Sequence, residues 1–211
     1  MNIVQEKDCA DMRNDPDKPD LKTRLIDAAE AEIAEKGLAG LKARAVTARA
    51  GSALGGLYTA FEDLDRLVLH VNSRTLARLG DALAPSQPDA APETVMQTLA
   101  GAYARFALEN RRLWSALFEH RLPEGVEMPA WHRAEHEVLI ARIGAPLAVL
   151  RHDLSAEQRA LRVRTLFGAV HGVVHLSLQE RLVGLPEAQL LPEIAALVHA
   201  LIHGSGGKPD A

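Results

Sequence analysis

Histidines recur as three pairs in this chain of 211 residues, and each pair has a four-residue spacing. The pairs are His132 and His136, His171 and His175, and His199 and His203. On an α-helix, this spacing places both imidazoles on one face, where they could share a metal ion. No His-Glu-x-x-His, Glu-x-x-His or cysteine-rich motif accompanies them, and the single cysteine, Cys9, lies near the N-terminus. We therefore predict no metal site and no cofactor, and we interpret these histidines as surface, core or interface residues.

A second segment, residues 37–61, has the residue types expected for binding DNA. It contains Lys42, Arg44 and Arg49 and no carboxylate, and the next acidic residue is Glu62. Two short helical patterns, over 42–50 and 54–60, are separated at Gly51. A tight turn between two short helices is the helix-turn-helix arrangement, whose second helix enters the major groove. The cations would neutralise nearby phosphates, so the segment predicts binding to double-stranded DNA.

The composition indicates what kind of elements must position these residues. The chain has 35 Ala and 31 Leu but only 28 Val, Ile and Thr together, which favours an all-α fold. The formal net charge of -4 argues against DNA binding only if charge is evenly spread, whereas residues 37–61 carry an excess of three positive charges. One cysteine cannot form an internal disulfide, and no apolar run reaches the length of a membrane span. With an acidic N-terminus that lacks a signal sequence, the chain is predicted to be cytoplasmic, with no membrane partner.

Hydrophobic periodicity and capping residues predict nine helices. The predicted spans are 20–37, 42–50, 54–60, 63–83, 92–109, 110–120, 129–152, 155–184 and 192–202. Asp20, Asn110 and the Ser155–Gln158 capping box are expected to begin the first, sixth and eighth helices. The predicted organisation is a disordered tail (1–20), a three-helix helix-turn-helix domain (21–66), a helical ligand-binding and dimerisation domain (67–203) and a flexible tail (204–211).

The stretch 23–67 resembles the N-terminal DNA-binding domain of TetR-type transcriptional regulators. The matching residues are Ala28-Ala29, Gly37, Leu41, Arg44, Val46, Ala50-Gly51, Gly55, Leu57-Tyr58, Phe61 and Leu67. Further along, Val170-His171-Gly172 is similar to the Trp-His-Gly centre of one TetR subgroup, with Val170 in the place of the Trp. Residues 103–110 fit the same subgroup. The resemblance implies a nine-helix, dimeric regulator, most commonly a bacterial repressor, that a small molecule releases from its operator.

The resemblance also suggests DNA-contacting residues. Lys42, Arg44 and Tyr58 are expected to contact the DNA backbone. Four further residues are expected to face the groove: Leu54, Gly55, Gly56 and Thr59. Three positions depart from the common TetR pattern, because Ala53, Gly56 and Leu64 replace residues that often donate hydrogen bonds to DNA. Few polar groups therefore remain to read bases, and contacts to thymine methyls and DNA shape are expected to contribute.

The C-terminal half is expected to hold the effector and the dimer interface. The candidate effector-binding residues are aromatic or imidazole side chains: Tyr103, Phe106, Trp114, Phe118, Trp131 and His171. Their apolar surroundings favour a hydrophobic effector. The eighth helix is apolar on most sides, so we expect its outer face to contact a second subunit. The candidate interface residues lie on the last two helices: Leu166, Phe167, Val170, Val174, Leu178, Leu197 and Leu201.

Two alternatives remain open at this stage. The three departures are compatible with a TetR-like sensor or interaction module whose DNA binding is weakened. The histidine pairs would suit a metal-binding helical enzyme, although no carboxylate motif or phosphate-binding loop supports an enzyme.

Overall fold

The computed structural model describes residues 19–84, 89–179 and 184–203, and these form nine α-helices with no β-strand. The helices are α1 (Leu21–Lys36), α2 (Ala43–Arg49), α3 (Leu54–Phe61), α4 (Leu64–Ala82), α5 (Pro92–Glu109), α6 (Arg111–Glu119), α7 (Ala130–Leu150), α8 (Ala156–Leu178) and α9 (Glu187–His203). This confirms the predicted all-α class. The predicted tails lie outside the described residues, apart from positions 19 and 20, and so does Cys9. None of the described helices is long and apolar enough to cross a membrane.

Side-chain caps fix several helix starts. The Asp20 carboxylate accepts from the Thr23 amide at the start of α1, and Asp63 caps α4 in the same way. The capping box predicted at Ser155 is confirmed, because Ser155 and Gln158 each accept a hydrogen bond from the other's backbone amide.

One predicted side-chain cap and one predicted helix start differ from the structure. The Asn110 side chain does not cap α6; its Nδ2 donates to the Phe106 carbonyl at the end of α5, 3.0 Å away. The last helix begins at Glu187 rather than near Pro192, which lies inside it. Leu190 is fully buried and holds this earlier turn against the core, and this tertiary contact outweighs the helix-interrupting tendency of Pro192.

The described helices enclose two hydrophobic cores. The N-terminal core is formed by α1 to α3 with parts of α4 and α6, and the C-terminal core by α5 to α9 with the end of α4. Leu67 and Val71 of α4 belong to the first core, and Leu79 of the same helix belongs to the second. In α6, Leu113 faces the first core and Trp114 the second. Both α4 and α6 therefore connect the two halves.

Hydrogen bonds reinforce these connections. Asn72 of α4 is buried and its Nδ2 donates to the Ala116 carbonyl of α6, 3.5 Å away. The Arg112 guanidinium of α6 donates to the carbonyls of Ala34 and Glu35 at the end of α1. These carbonyls are among the last four of α1, which have no partner within the helix. A movement of α4 or α6 would therefore be transmitted to α1.

Candidate nucleic-acid interface and ligand cavity

Helices α2 and α3 form a helix-turn-helix held by buried apolar residues. Val46 of α2 and Leu57 and Phe61 of α3 are buried in the N-terminal core. Gly51 has a φ of 64° in the turn between the two helices, a conformation that favours glycine. The Ser52 amide donates to the Thr47 carbonyl, 2.9 Å away, and this bond closes the turn. The outer side of α3 is thereby presented to solvent.

Six of the seven residues predicted to contact DNA are exposed. They are Lys42, Arg44, Leu54, Gly55, Tyr58 and Thr59. Tyr58 is 48% exposed although it is aromatic. A Cβ at Gly55 would meet no other atom within 4 Å, so the backbone of α3 is accessible from this side. Thr59 shares this face, but its hydroxyl donates to the Gly55 carbonyl 3.0 Å away.

Two of the departures from the TetR pattern lie against neighbouring parts of the N-terminal domain. A Cβ at Gly56 would lie 3.4 Å from Cδ2 of Leu21, so this position faces α1 rather than open solvent. Leu64 is half-buried and packs against the N-terminal core. At Ala53, by contrast, the first turn of α3 has no side-chain cap.

The positive face is smaller than the sequence suggests. Arg49 pairs with Glu35, with 2.6 Å between Nη2 and Oε1, and its Nη1 lies 3.5 Å from Glu32. The hydrogen bond to Glu35 raises the pKa of Arg49 and keeps the guanidinium charged. The neighbouring carboxylates, however, already neutralise this positive charge. Lys42 and Arg44 make no ion pair with any described residue, so they supply the positive charge of this face.

The C-terminal half contains an apolar cavity of about 260 Å³. Helices α4 to α9 all contribute side chains to it. Those from α4 to α6 are Leu76, Leu79, Leu83, Met96, Leu99, Ala100, Tyr103 and Phe118. Those from α7 to α9 are His136, Leu139, Ile140, Arg142, Ile143, Leu166, Phe167, Val170 and Val198. Of the predicted effector-binding residues, Tyr103 and Phe118 line this cavity.

The other predicted effector-binding residues lie elsewhere. Phe106 and Trp114 are buried in the C-terminal core and do not line the cavity. His171 stacks at 5.7 Å on Phe167, which is part of the wall. Trp131 is 43% exposed and stacks at 5.2 Å on His70 of α4, away from the cavity.

A hydrogen bond joins two of these residues across the core. The Tyr103 hydroxyl lies 2.9 Å from Nδ1 of His171. Burial raises the pKa of Tyr103 above its ordinary value, so the phenol stays protonated. Burial, and to a lesser extent the nearby His175, lowers the pKa of His171. A neutral imidazole can therefore accept the Tyr103 proton in this bond.

Sequence reasoning missed most of the cavity lining. Its aliphatic residues have the same helical spacing as ordinary core residues, so no sequence signal separates a cavity wall from a packed interior. Arg142 was also missed, although the sequence does carry a signal for it, because this charged residue interrupts the apolar run 138–145. It is half-buried at the cavity and makes no ion pair with the described residues.

The three histidine pairs have different surroundings. His132 is buried; its Nδ1 lies 3.0 Å from Glu135, and its Nε2 lies 3.4 Å from Nε2 of His136. Burial lowers the pKa of both of these histidines. The rings of His171 and His175 stack at 5.7 Å in the C-terminal half. His199 and His203 lie on the surface of α9, and both contact Glu93 of α5.

The fold and these two sites define a class, namely all-helical regulators in which a helix-turn-helix is joined to a domain with an internal cavity. Residues 96–204 match the model of the tetracycline repressor-like C-terminal domain. The chain belongs to this family, the TetR family of transcriptional regulators. It is therefore a DNA-binding transcriptional regulator and not an enzyme.

Solved structures share the fold at low sequence identity. A protein of unknown function from Rhodococcus sp. RHA1 is 20% identical, with a TM-score of 0.70 over 90% of this chain and 98% of that one. The fatty acid degradation regulator FadR from Bacillus halodurans is 16% identical, with a TM-score of 0.64 over 90% and 99%. RolR, solved with resorcinol, is 23% identical, with a TM-score of 0.58 over 83% and 93%. No curated protein sequence matches the chain.

Proposed function

We propose that the protein is a dimeric repressor that leaves its operator when a small hydrophobic effector enters the cavity. One observation carries this proposal. Helix α4 packs against the helix-turn-helix through Leu67 and Val71, and it lines the cavity through Leu76 and Leu79. An effector that prefers one position of α4 would therefore also favour one position of the DNA-binding domain. The predicted boundary between residues 66 and 67 falls within α4, which begins at Leu64.

The exposed face of α2 and α3 is the proposed DNA contact. Lys42, Arg44 and Tyr58 would bind phosphates, while Leu54, Gly55 and Thr59 approach the bases. The open surface at Gly55 allows the backbone to come close to a groove wall. In a dimer, two such faces must reach half-sites about 34–36 Å apart, so a small rotation of each domain would break simultaneous contact.

The cavity favours an effector with an apolar body and one polar end. Its wall is largely aliphatic, and its polar groups are Tyr103, His136 and Arg142. Because Arg142 has no carboxylate partner among the described residues, an acidic or phenolic group of the effector is its natural partner. RolR, which shares the fold, was solved with a phenol, and FadR is named for fatty acid degradation.

The outward faces of α8 and α9 are the proposed dimer interface. Leu161 and Leu176 are 57% and 41% exposed on α8, and between them the backbone is open at Gly168 and Gly172. Of the residues predicted for the interface, Leu178, Leu197 and Leu201 are half-buried and remain candidates, whereas Phe167 lines the cavity. Three others, Leu166, Val170 and Val174, are buried in the protomer's own core, where a second subunit could not reach them.

Footprinting on the promoter beside the protein's own gene tests the DNA-binding function. We expect a salt-dependent footprint that a suitable apolar acid or phenol removes. The double variant Arg44→Ala with Tyr58→Ala should abolish the footprint, whereas Arg105→Ala, which changes an exposed arginine of α5, should not. A footprint that survives the double variant would refute the assigned DNA face. If no salt-dependent binding is found, the sensor or interaction module becomes the better account.

Sedimentation tests the proposed dimer. Gly172→Arg should shift the protein toward the monomer, because the large side chain projects from the proposed interface. Gly144→Arg makes the same change on α7, where a Cβ also meets no atom within 4 Å, and should leave the dimer intact. Equal sedimentation of both variants and the unsubstituted protein would place the interface elsewhere.

A further inference from the structure

The first turn of α5 and the last turns of α9 bring one carboxylate and two imidazoles together. Oε1 of Glu93 lies 2.7 Å from Nδ1 of His199, and its Oε2 lies 3.1 Å from Nε2 of His203. The two rings are 4.5 Å apart between centroids. Each of the three residues offers one potential ligand atom, and these three atoms lie within 4.8 Å of one another. Their side chains are accessible, so an ion could enter from solvent.

This set of atoms has the chemistry of a transition-metal site. Two imidazole nitrogens and one carboxylate oxygen suit Zn²⁺ and neighbouring first-row divalent ions, whereas Mg²⁺ and Ca²⁺ prefer oxygen ligands. Three protein ligands leave a fourth tetrahedral position for water or another ligand. We propose that Glu93, His199 and His203 form a binding site for a divalent transition-metal ion. The sequence predicted no metal site because the carboxylate lies 106 positions from His199.

The other histidine pairs are less suited to this role. Within residues 19–84, 89–179 and 184–203, this is the one cluster in which three potential ligands converge closely. At His132 and His136, the neighbouring Glu135 contacts the Nδ1 edge of His132, whereas the two histidines face each other through Nε2. That carboxylate therefore lies on the wrong side of the ring to complete a site between the two histidines.

A metal at this site would also restrain the effector cavity. Met96 follows Glu93 by about one helical turn, and Val198 directly precedes His199. Both Met96 and Val198 line the cavity. An ion held between α5 and α9 would therefore fix the separation of two walls of the cavity. This consequence rests on the proposed function, but the metal site itself does not, since its test requires neither DNA nor effector.

Isothermal titration of the full-length protein with Zn²⁺ tests the proposal directly. The background should be Cys9→Ser, so that the thiol cannot supply a ligand. We expect one Zn²⁺ per chain, and no binding of Mg²⁺. Each of the variants Glu93→Gln, His199→Gln and His203→Gln should weaken zinc binding by about tenfold or more, because each removes a ligand. His152→Gln, which removes an exposed histidine outside the cluster, provides the matched control and should bind as before.

Thermal unfolding supplies a second readout. Zn²⁺ should raise the Tm of the Cys9→Ser protein and of His152→Gln, because an ion that joins α5 to α9 binds only the folded chain. The increase should disappear in His199→Gln. The proposal is overturned if the unsubstituted site binds no Zn²⁺. It is equally overturned if the three cluster variants bind Zn²⁺ as tightly as the control does, since the ligands would then lie elsewhere.

Discussion

The hydroxyl of Tyr103 is hydrogen-bonded to Nδ1 of His171 across 2.9 Å, although 68 positions separate the two residues in the chain. This bond connects α5 to α8 beside the cavity, and both partners are buried or half-buried. Tyr103 lines the cavity, while His171 supports Phe167 and Phe118 from behind, with ring centroids 5.7 Å and 4.2 Å away. The pair therefore fixes the shape of one cavity wall.

Removing this hydrogen bond should destabilise the protein measurably. Tyr103→Phe keeps the ring but leaves Nδ1 of His171 without its hydrogen-bond partner, at a cost of about 1 kcal/mol in the free energy of unfolding. Urea denaturation followed by circular dichroism measures the change. Tyr58→Phe makes the same substitution at an exposed position and should leave the free energy unchanged. An equal effect of both variants would show that the Tyr103 hydroxyl makes no net contribution.

Two alanines of α5, one turn apart, should respond oppositely to enlargement. Ala100 lines the cavity, so Ala100→Leu has space for its side chain and should be tolerated or slightly stabilising. Ala104 is fully buried in the packed core, so Ala104→Leu should cost about 1–3 kcal/mol through overpacking. Urea denaturation of the two variants distinguishes these outcomes. Equal destabilisation would mean that the space beside Ala100 is not available to a side chain.

Three buried or half-buried histidines lead us to expect that stability falls in mild acid. Burial lowers the pKa of His132, His136 and His171 below the ordinary value of 6.5. Below pH 6.5, the unfolded chain therefore binds more protons at these positions than the folded chain does. Stability should therefore be retained above pH 6.5 and lost as the pH falls toward the lowered folded-state pKa values. The maximum slope is about 1.4 kcal/mol per pH unit for each histidine.

Urea denaturation between pH 7.5 and 5 measures this slope. His132→Gln should reduce it, because one of the groups that resist protonation is gone. The exposed His152→Gln variant controls for the loss of a histidine as such. A slope that is unaffected by His132→Gln would exclude His132 as a source of the acid sensitivity.

Arg112 should connect the effector domain to the DNA-binding domain. Its guanidinium donates to the last carbonyls of α1, so Arg112→Ala should lower the free energy of unfolding by about 1–2 kcal/mol. It should also weaken the release of DNA by effector more than it weakens DNA binding itself. Gel-shift titrations with and without effector measure both quantities, with Arg121→Ala as the control. If effector still releases all of the DNA from Arg112→Ala, the coupling between the two domains would run through α4 alone.

Much of the fold could be predicted from local sequence. The Ala and Leu content, the apolar spacing and the caps at Asp20 and Ser155 act within one or two helical turns, so they determine the helices without knowledge of the fold. The same holds for the turn at Gly51, where a positive φ favours glycine because it has no Cβ. The two short helical patterns and the cations of residues 37–61 then indicated the helix-turn-helix, and the family resemblance gave the expected role in transcription.

Only the tertiary structure decided which side chains share a site. Leu166 and Leu161 belong to the same apolar helical pattern, and the sequence does not distinguish them. In the fold, Leu166 is buried in the core and Leu161 is 57% exposed. The sequence predicts Arg49 to be an unpaired cation, whereas in the fold it forms an ion pair with Glu35 of α1. Glu93 meets His199 only because α5 and α9 lie side by side. These outcomes depend on contacts between distant segments. Hydrophobic periodicity does not determine which segment will cover a given helix face, and in a helix that is apolar on most sides it does not separate the buried face from the exposed one.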